Sequence, residues 1–336
     1  MTEPNPAPPS GDAHPTPPPA ETRAELAAEL DALTSEAQTH AAAAVSPATK
    51  RAYRIDWADF TTWCDTHQLD PLPATGTTIA LYLSAQARTL KVSTIERRLS
   101  SIATAHKLAG QPTPRTIPEV QLVMKGLRRT KSTAPTQKTP LRLAELRRLI
   151  NHLDLDTPIG QRDHALLLTG FAGALRRSEL TALNHQDLQP HENGYLITIR
   201  RSKTDQEAQG QTIAIPYGSN PHTCPTRTLN RWIQTANITT GPLWRPINRH
   251  GHIANTRLSA QTVSLIIKKH ATNAGLDPHH YAAHSLRSGF ATTAAENNIA
   301  ERHIARQTRH QHLPTLRHYI HEATHFTNNP ATQIGL

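Results

Sequence analysis

Residues 162–180 read Arg-Asp-His-Ala-Leu-Leu-Leu-Thr-Gly-Phe-Ala-Gly-Ala-Leu-Arg-Arg-Ser-Glu-Leu. The apolar pattern from Gln161 to Phe171 predicts a helix, and a polar segment follows it. In that segment Glu179 comes three residues after Arg176, a spacing that places two side chains on one face of a helix. Alone, the pattern is typical of an arginine–glutamate pair on the surface of an amphipathic helix, so its meaning depends on the rest of the chain.

A β-hairpin is predicted further along the chain. Two β-rich stretches, residues 195–200 and 212–215, flank a polar turn that contains Gly210. Lys203 lies in this turn, within the run Arg-Arg-Ser-Lys-Thr-Asp of residues 200–205. A lysine in a turn is ordinarily only solvated, so the hairpin alone indicates no chemistry.

Three more segments carry residue types that suit chemistry on a phosphate. His284 and Arg287 are three residues apart, which brings both to one face of a helix. His310 follows Thr-Arg, and Tyr319 lies nine residues beyond it in Leu-Arg-His-Tyr-Ile. Each of these segments is weak evidence when taken alone.

Together, in this order and at these intervals, the five segments resemble the catalytic set of the tyrosine recombinases, the phage-integrase family. The resemblance covers roughly residues 46–336. It implies a site-specific DNA recombinase or integrase, which cleaves and rejoins DNA through a 3′-phosphotyrosyl intermediate without metal or ATP. Two positions depart from the family pattern, because Ala174 and Arg309 stand where glycine is usual.

The resemblance also implies a role for each matching residue. Guanidinium groups suit phosphate because they stay charged and offer a rigid bidentate fork. A tyrosine has a pKa of about 10 and needs a base before it can attack at neutral pH. The implied roles are Arg176 and Arg287 as phosphate clamps, His310 as a further donor, His284 as general base, Lys203 as the acid for the leaving 5′-oxygen, Tyr319 as the nucleophile, and Glu179 as the partner that orients Arg176.

The formal net charge of +10 is unevenly spread. Residues 1–40 carry seven acidic residues and one arginine, a net charge of −6, so the remaining residues carry +16. A body of this charge favours a polyanionic partner over general solubility, and we expect double-stranded DNA. No apolar run approaches the roughly 18 residues of a membrane span. The two cysteines, Cys64 and Cys224, are too few for a disulfide framework or a cysteine-based zinc site.

Changes in composition divide the 336 residues into five segments. Eight of the 26 prolines fall in residues 1–20, which predicts a disordered tail. Residues 21–45, rich in alanine, leucine and glutamate, predict a helical extension. Residues 130–140 lack apolar periodicity and contain two prolines, which is typical of a linker. It separates a helical domain, residues 46–129, from a second domain, residues 141–336.

The predicted fold is mainly α with a small β-sheet in the second domain. The resemblance implies that residues 46–129 form a SAM-like helical core DNA-binding domain. It implies further that residues 141–336 form the α+β catalytic domain of a tyrosine recombinase, and that the two domains make a C-shaped clamp on one DNA duplex.

One helix of the first domain is predicted to bury Val92, Ile95, Leu99 and Ile102 on one face. Its basic residues are then left for solvent or for DNA, and the next helix ends in a basic run. A charge run is often only a solvated face, so both explanations stay open. The candidate DNA contacts are Lys91, Arg97, Arg98, Lys125, Arg128, Arg129 and, in the hairpin turn, Arg201.

Two other functions stay open from the residues alone. A type IB topoisomerase uses similar chemistry to relax supercoiled DNA, although a helical domain with a short linker argues against it. A non-catalytic DNA-binding protein could share the fold, although binding alone needs no tyrosine nine residues past a histidine. A zinc site among the 21 histidines, in the clusters at 279–284 and 318–325, is disfavoured because neither cysteine pairs nor an HExxH helix is present.

The resemblance also sets expectations about partners. It implies that the protein forms a homotetramer on two DNA sites and is a monomer or weak oligomer without DNA. An accessory DNA-bending protein is also compatible with the resemblance. Each protomer would pass its C-terminal segment, residues 322–336, to a neighbour. We expect no cofactor, no bound metal, no membrane partner and a cytoplasmic, nucleoid-associated location.

Overall fold

The computed structural model describes residues 20–43, 45–131, 138–200, 210–310, 313–324, 331 and 334. The chain divides into two compact units, Met1–Pro135 and Thr136–Leu336, and each has its own hydrophobic core. The described residues are mainly helical with one three-stranded sheet, which confirms the predicted fold class. Within these ranges, no helix is long and apolar enough to cross a membrane.

The first unit is built from helices, which are α1 (Ala20–Ala43), α2 (Pro47–Thr66), α3 (Gly76–Gln86), α4 (Val92–Leu108) and α5 (Pro118–Thr130). The start of α2 follows from its sequence. The Ser46 hydroxyl accepts a hydrogen bond from Thr49 N at 3.2 Å, and Pro47 takes the first helical position, where its missing N–H costs nothing.

The core of the first unit lies where α2, α3, α4 and α5 meet. Phe60 of α2 packs edge-on against Tyr82 of α3, with ring centroids 4.9 Å apart. The predicted face of α4 is buried, which confirms the expectation drawn from its apolar periodicity. The residues of that face are Val92, Ile95, Leu99 and Ile102.

The second unit contains α6 (Leu143–Asn151), α7 (Pro158–Ala172), α8 (Arg177–Ala182), α9 (Pro225–Thr235), α10 (Ala260–Asn273), α11 (His284–Glu296), α12 (Glu301–Thr308) and α13 (Leu313–Ala323). Helix α7 is buried along nearly its whole length and packs against α9 and α11. Its buried Asp163 is paired on both sides, by Arg162 at 2.7 Å and by His270 at 2.8 Å. Paired in this way, the charges can lie inside the core.

The apolar pattern of residues 141–155 predicts a helix over that whole range, but the structure forms one only over α6. The residues after α6 are needed to start α7, because the Thr157 hydroxyl accepts a hydrogen bond from Gly160 N at 3.2 Å and caps that helix. The apolar pattern crossed this turn and made the predicted helix too long.

The sheet has strands β1 (Leu188–His191), β2 (Gly194–Ile199) and β3 (Gln211–Pro216), all antiparallel, in the order β1-β2-β3. The pairing of β2 with β3 runs from Ile199 opposite Gln211 to Gly194 opposite Pro216 and confirms the predicted hairpin. Strand β1 was not predicted. It contains Pro190, which argues against a strand except at a sheet edge, and β1 is an edge strand.

Helix α11 is held against the beginning of the second unit by a close backbone approach. A Cβ on Gly289 would lie 1.9 Å from the carbonyl oxygen of Leu141, so only glycine fits there. In the same place Leu141 N donates to Ser285 O at 2.9 Å. This packing fixes α11, the helix that carries His284 and Arg287.

Candidate active site

The structure brings five of the six predicted catalytic residues into one cluster in the second unit. They come from the turn after α7, from α11, from the segment after α12, and from α13: Arg176, His284, Arg287, His310 and Tyr319. The sixth, Lys203, lies outside the described residues, as does the candidate DNA contact Arg201.

Arg176 begins α8 and is held by Glu179. One carboxylate oxygen accepts from Arg176 Nη1 at 2.6 Å, and the other accepts from the backbone N–H of Arg176 at 2.9 Å. Glu179 is buried, whereas the Arg176 side chain keeps 19% of its surface exposed. The surface-pair explanation is therefore wrong, and the glutamate orients an arginine that remains accessible.

A second arginine, Arg309, reaches the same glutamate. Its Nη2 donates to Glu179 Oε2 at 2.9 Å. Burial raises the pKa of Glu179, but Arg309 and Arg176 outweigh it, and the pKa lies below its ordinary value. Glu179 is therefore a carboxylate between two guanidinium groups.

Arg287 lies on α11, is only 1% exposed, and donates from Nη1 to the carbonyl oxygen of Ala174 at 2.8 Å. Among the residues that the structure describes, its Nη2 is buried and has no hydrogen-bond partner. Burial, followed by the positive charges of Arg176 and Arg309, lowers the pKa of Arg287 to about 9. A buried guanidinium with an unused donor is suited to receive an anion.

Tyr319 lies on α13, with its Oη 3.0 Å from Nε2 of His284. Burial, then Arg287 and Arg176, lower the pKa of His284, so the imidazole is neutral at pH 7 and can accept the phenol proton. Burial raises the pKa of Tyr319, although Arg287 opposes the rise. The phenol therefore keeps its proton until a base removes it, and His284 is the base in contact.

His310 lies after α12, with its ring centroid 6.5 Å from that of Tyr319. Its Nδ1 is 2.7 Å from the Thr308 hydroxyl, which also lies 2.7 Å from Ile304 O. In the tautomer in which Nδ1 accepts from that hydroxyl, the ring proton is on Nε2, which can then donate. Burial, then the nearby arginines, lower the pKa of His310 to about 4, so the ring is neutral. Sequence reasoning missed Thr308, because a threonine two residues before a histidine has no distinctive signal.

The candidate DNA contacts of the first unit fall into different environments. Lys125 and Arg129 are exposed at the end of α5. Arg128 is also exposed and pairs with Glu96 at 2.8 Å, and Arg97 pairs with the buried Asp56 at 2.8 Å. Lys91 precedes α4.

Arg98 differs from these residues, because its side chain is mostly buried. It bonds Asp59 and also donates to the Tyr82 hydroxyl at 2.7 Å. The charge of Arg98 is therefore paired within the first unit, in contrast to the exposed Lys125 and Arg129.

Comparison with known proteins explains the arrangement. The sequence profile of the phage integrase family matches residues 140–325. An integrase/recombinase XerD homolog of Selenomonas ruminantium is 40% identical over 284 residues, which cover 84% of this chain and 83% of that protein.

The chain belongs to the phage integrase family.

Other members of the family are similar over shorter lengths. A tyrosine recombinase XerD of Listeria monocytogenes is 30% identical over 189 residues, which cover 54% of this chain and 57% of that protein. Membership of the family makes this chain a tyrosine-type site-specific recombinase and favours that function over the topoisomerase and non-catalytic alternatives.

Solved structures share the fold. A lambda integrase dimer bound to a COC′ core site has a TM-score of 0.58 at 16% identity, covering 86% of this chain and 93% of that one. The XerH site-specific recombinase bound to a palindromic difH substrate, in a post-cleavage complex, has a TM-score of 0.54 at 16% identity, covering 77% of this chain and 71% of that one. At this identity the likeness concerns the fold alone.

The histidine clusters give no metal site in the part of the chain that the structure describes. No group of three or more histidine, cysteine, aspartate or glutamate side chains there could hold a metal ion. His284, from the cluster at 279–284, faces Tyr319 instead, and His318 lies 3.4 Å from Glu322.

Proposed function

We propose that this recombinase cleaves and rejoins double-stranded DNA through a covalent bond between Tyr319 and a 3′-phosphate. One observation carries the proposal: the Tyr319 hydroxyl is in contact with a neutral His284, beside a buried Arg287 whose Nη2 has no partner among the described residues. A nucleophile, a base and an anion site are therefore adjacent.

In the proposed cleavage step, the Tyr319 oxygen attacks phosphorus while its proton passes to His284. Arg176 and Arg287 bind the non-bridging oxygens, and His310 adds a hydrogen bond. Donors that are already in place when charge builds up on a phosphoryl group lower the barrier by about 3 kcal/mol each. Because guanidinium groups supply the positive charge that stabilises the transition state, the step needs neither a metal ion nor ATP.

The 5′-oxygen that leaves must receive a proton, and we assign this role to Lys203. The assignment rests on its place in the sequence between the paired strands β2 and β3. The 3′-phosphotyrosyl bond retains the energy of the broken phosphodiester. A 5′-hydroxyl from another duplex can therefore reverse the attack, returning the proton to Tyr319 and exchanging the strands.

DNA binding by this chain is supported by charge. The residues after position 40 carry +16, and basic surfaces bind the DNA backbone mainly through its phosphates. We propose that residues 46–129 and 141–336 clamp one duplex, joined by residues 130–140. The predicted helical extension, residues 21–45, falls on α1, and residues 1–19 of the predicted tail lie outside the described residues. A cytoplasmic, nucleoid-associated location would follow from this substrate.

We further propose assembly of four protomers on two DNA sites, each passing residues 322–336 to a neighbour. An apolar groove of about 650 Å³ in the second unit supports this arrangement, with Leu168, Phe171, Phe290 and Ile304 among its lining. The C-terminal segment contains Phe326 and Ile334, which are suitable anchors for such a groove.

The test of the proposed reaction is covalent trapping. Because the target site is unknown, adducts are first mapped across the host DNA, and a mapped site is then made as a duplex with a nick beside the scissile phosphate. In buffer with EDTA, we expect a denaturant-resistant adduct joined through the 3′-phosphate, with a free 5′-hydroxyl. A strict requirement for divalent metal, or attachment through a 5′-phosphate, would show a different chemistry.

A further inference from the structure

The two departures from the family pattern, Ala174 and Arg309, have an uncommon backbone conformation in common. Ala174 has φ +44° and Arg309 has φ +55°. This left-handed region is costly for residues with a Cβ and is usually occupied by glycine. Two strained residues of this kind in one site must be held by their surroundings.

The two departures also touch each other. Arg309 Nη2 donates to the carbonyl oxygen of Ala174 at 3.1 Å. Arg309 Nη1 donates to Gly173 O at 3.0 Å and to Gln307 O at 2.8 Å. Together with Glu179, four acceptors surround this guanidinium, which is 7% exposed. Through these hydrogen bonds, Arg309 connects the turn between α7 and α8 to the end of α12.

Arg309 is connected to both phosphate-binding arginines through shared acceptors. It shares the Glu179 carboxylate with Arg176, and it shares the Ala174 carbonyl oxygen with Arg287. Both of its Nη atoms donate to protein oxygens, while its Nε is buried and has no hydrogen-bond partner among the described residues. The two nitrogens at the tip of the side chain are therefore already used by the protein. A change at Arg309 would move the acceptors that orient the other two guanidinium groups.

We propose that Arg309 is a positioning residue for strand cleavage. Through Glu179 and the Ala174 carbonyl, it holds Arg176 and Arg287 in the positions in which they bind the phosphate. This inference rests on the proposed function. It means that the clamp of this recombinase is built from three arginines, of which one acts through the acceptors that it shares with the other two. A lysine cannot replace it, because one ammonium group cannot reach acceptors that are spread around a planar fork.

The test compares single-turnover cleavage of the nicked duplex, at saturating protein, by the wild type, Arg309→Gly and Arg309→Lys. Glycine suits the left-handed backbone, so Arg309→Gly removes the side chain without adding strain. A misplaced clamp should lower the rate constant by about 100-fold, because small errors in position are costly in catalysis. Arg309→Lys should fall between the two, and DNA affinity should change by less than about threefold since phosphate contacts dominate it.

The rate constant of cleavage and the fraction of DNA cleaved distinguish a loss of positioning from a loss of folded protein. A partly unfolded preparation lowers the fraction of DNA cleaved but leaves the rate constant of the folded molecules unchanged. Combining Arg309→Gly with Glu179→Gln should be little slower than the slower single variant, because both act on the same guanidinium groups. Arg306→Ala, an exposed arginine of α12, is the matched control and should cleave like the wild type.

A wild-type rate constant for Arg309→Gly, or a double-variant loss equal to the product of the single losses, would overturn the inference. Tyr319→Phe, run alongside, keeps the two proposals apart. If wild type forms the adduct, Tyr319→Phe does not, and Arg309→Gly matches wild type, then only the inference about Arg309 fails. If wild type forms no adduct, both proposals fail.

Discussion

Arg287 has one guanidinium nitrogen bound to Ala174 O and another without a partner among the described residues. Lysine has a single nitrogen and cannot serve both a carbonyl and a phosphate in this geometry. We therefore expect Arg287→Lys to lower the single-turnover cleavage rate by about 100-fold, the usual cost of losing one donor to a transition state. Quench-flow measurement on the nicked duplex gives this rate.

Arg245 provides the control for that substitution. It is a buried arginine of the same unit, and it donates to Pro242 O, Asn255 Oδ1 and Thr240 O at 3.2, 2.7 and 3.0 Å. Arg245→Lys should lower stability but leave the cleavage rate of the folded protein unchanged. An Arg287→Lys variant that cleaves as fast as the Arg245→Lys variant would remove Arg287 from the phosphate site.

The pH dependence of cleavage should reflect His284. Its pKa is lowered from the ordinary 6.5, mainly by burial. A lowered pKa means that the imidazole is still neutral at pH 6.5 and becomes protonated only at lower pH, where it can no longer accept the Tyr319 proton. The cleavage rate should therefore change little as the pH falls from 7.5 to 6.5 and should decline below that. A loss centred at or above pH 6.5 would contradict this assignment.

Sequence reasoning at the residue scale identified residues that contact one another, including Glu179 as the partner of Arg176, but it did not identify the contacts of Arg309. The interval between His310 and Tyr319 pointed to two side chains that lie near each other in the structure, with ring centroids 6.5 Å apart. The contacts of Arg309 depend on the carbonyl groups of Gly173 and Ala174, and a sequence carries no signal for the direction of a carbonyl. The only visible sign was that Arg309 replaced a glycine.

At the scale of the elements, the packing of α11 depends on a single glycine. Because a Cβ on Gly289 would meet the backbone of Leu141, Gly289→Ala must push α11 away or distort it. We expect a loss of about 3 kcal/mol in the free energy of unfolding, the upper range for overpacking. Denaturant unfolding followed by circular dichroism measures it.

Gly126 in α5 is the matched control for this substitution, since a Cβ there meets nothing within 4 Å. Gly126→Ala should raise stability by up to about 1 kcal/mol, because alanine is the better helix former. Equal stabilities of the Gly289→Ala variant and the wild type would show that α11 does not pack as described.

Elements were predicted best where local chemistry marks their ends. Ser46, a preferred N-cap residue, followed by Pro47, which suits the first helical position, predicts the start of α2. Gly210 marked the hairpin turn between β2 and β3. The end of α6 and the edge strand β1 were missed. The end of α6 follows from the turn that starts α7. Strand β1 forms because it pairs with β2, which overrides the effect of the proline in it.

At the scale of the whole molecule, the proposed assembly assigns the C-terminal segment to a neighbouring protomer. Deleting residues 325–336 keeps α13 and Tyr319. The truncated protein should still form the covalent adduct on one nicked site but should give at least about tenfold less recombinant product between two sites, since avidity from the exchanged segment is lost. Gel analysis of both products from one reaction checks this.

Deletion of residues 1–19 is the control at the other end of the chain. Eight prolines lie in that stretch, a composition that predicts a disordered tail. Recombination by this variant should be unchanged. Full recombination by the C-terminal truncation would contradict exchange of the segment between protomers.

The central claim is that Tyr319 is the covalent nucleophile, and Tyr319→Phe tests it most directly by removing one oxygen and keeping the ring. The nicked duplex is incubated in EDTA with the wild type, with Tyr319→Phe, and with Tyr217→Phe, which changes an exposed tyrosine as the control. We predict a 3′-linked adduct for the wild type and for Tyr217→Phe, and none for Tyr319→Phe, which should still bind the duplex with wild-type affinity. An adduct formed by Tyr319→Phe would contradict the account.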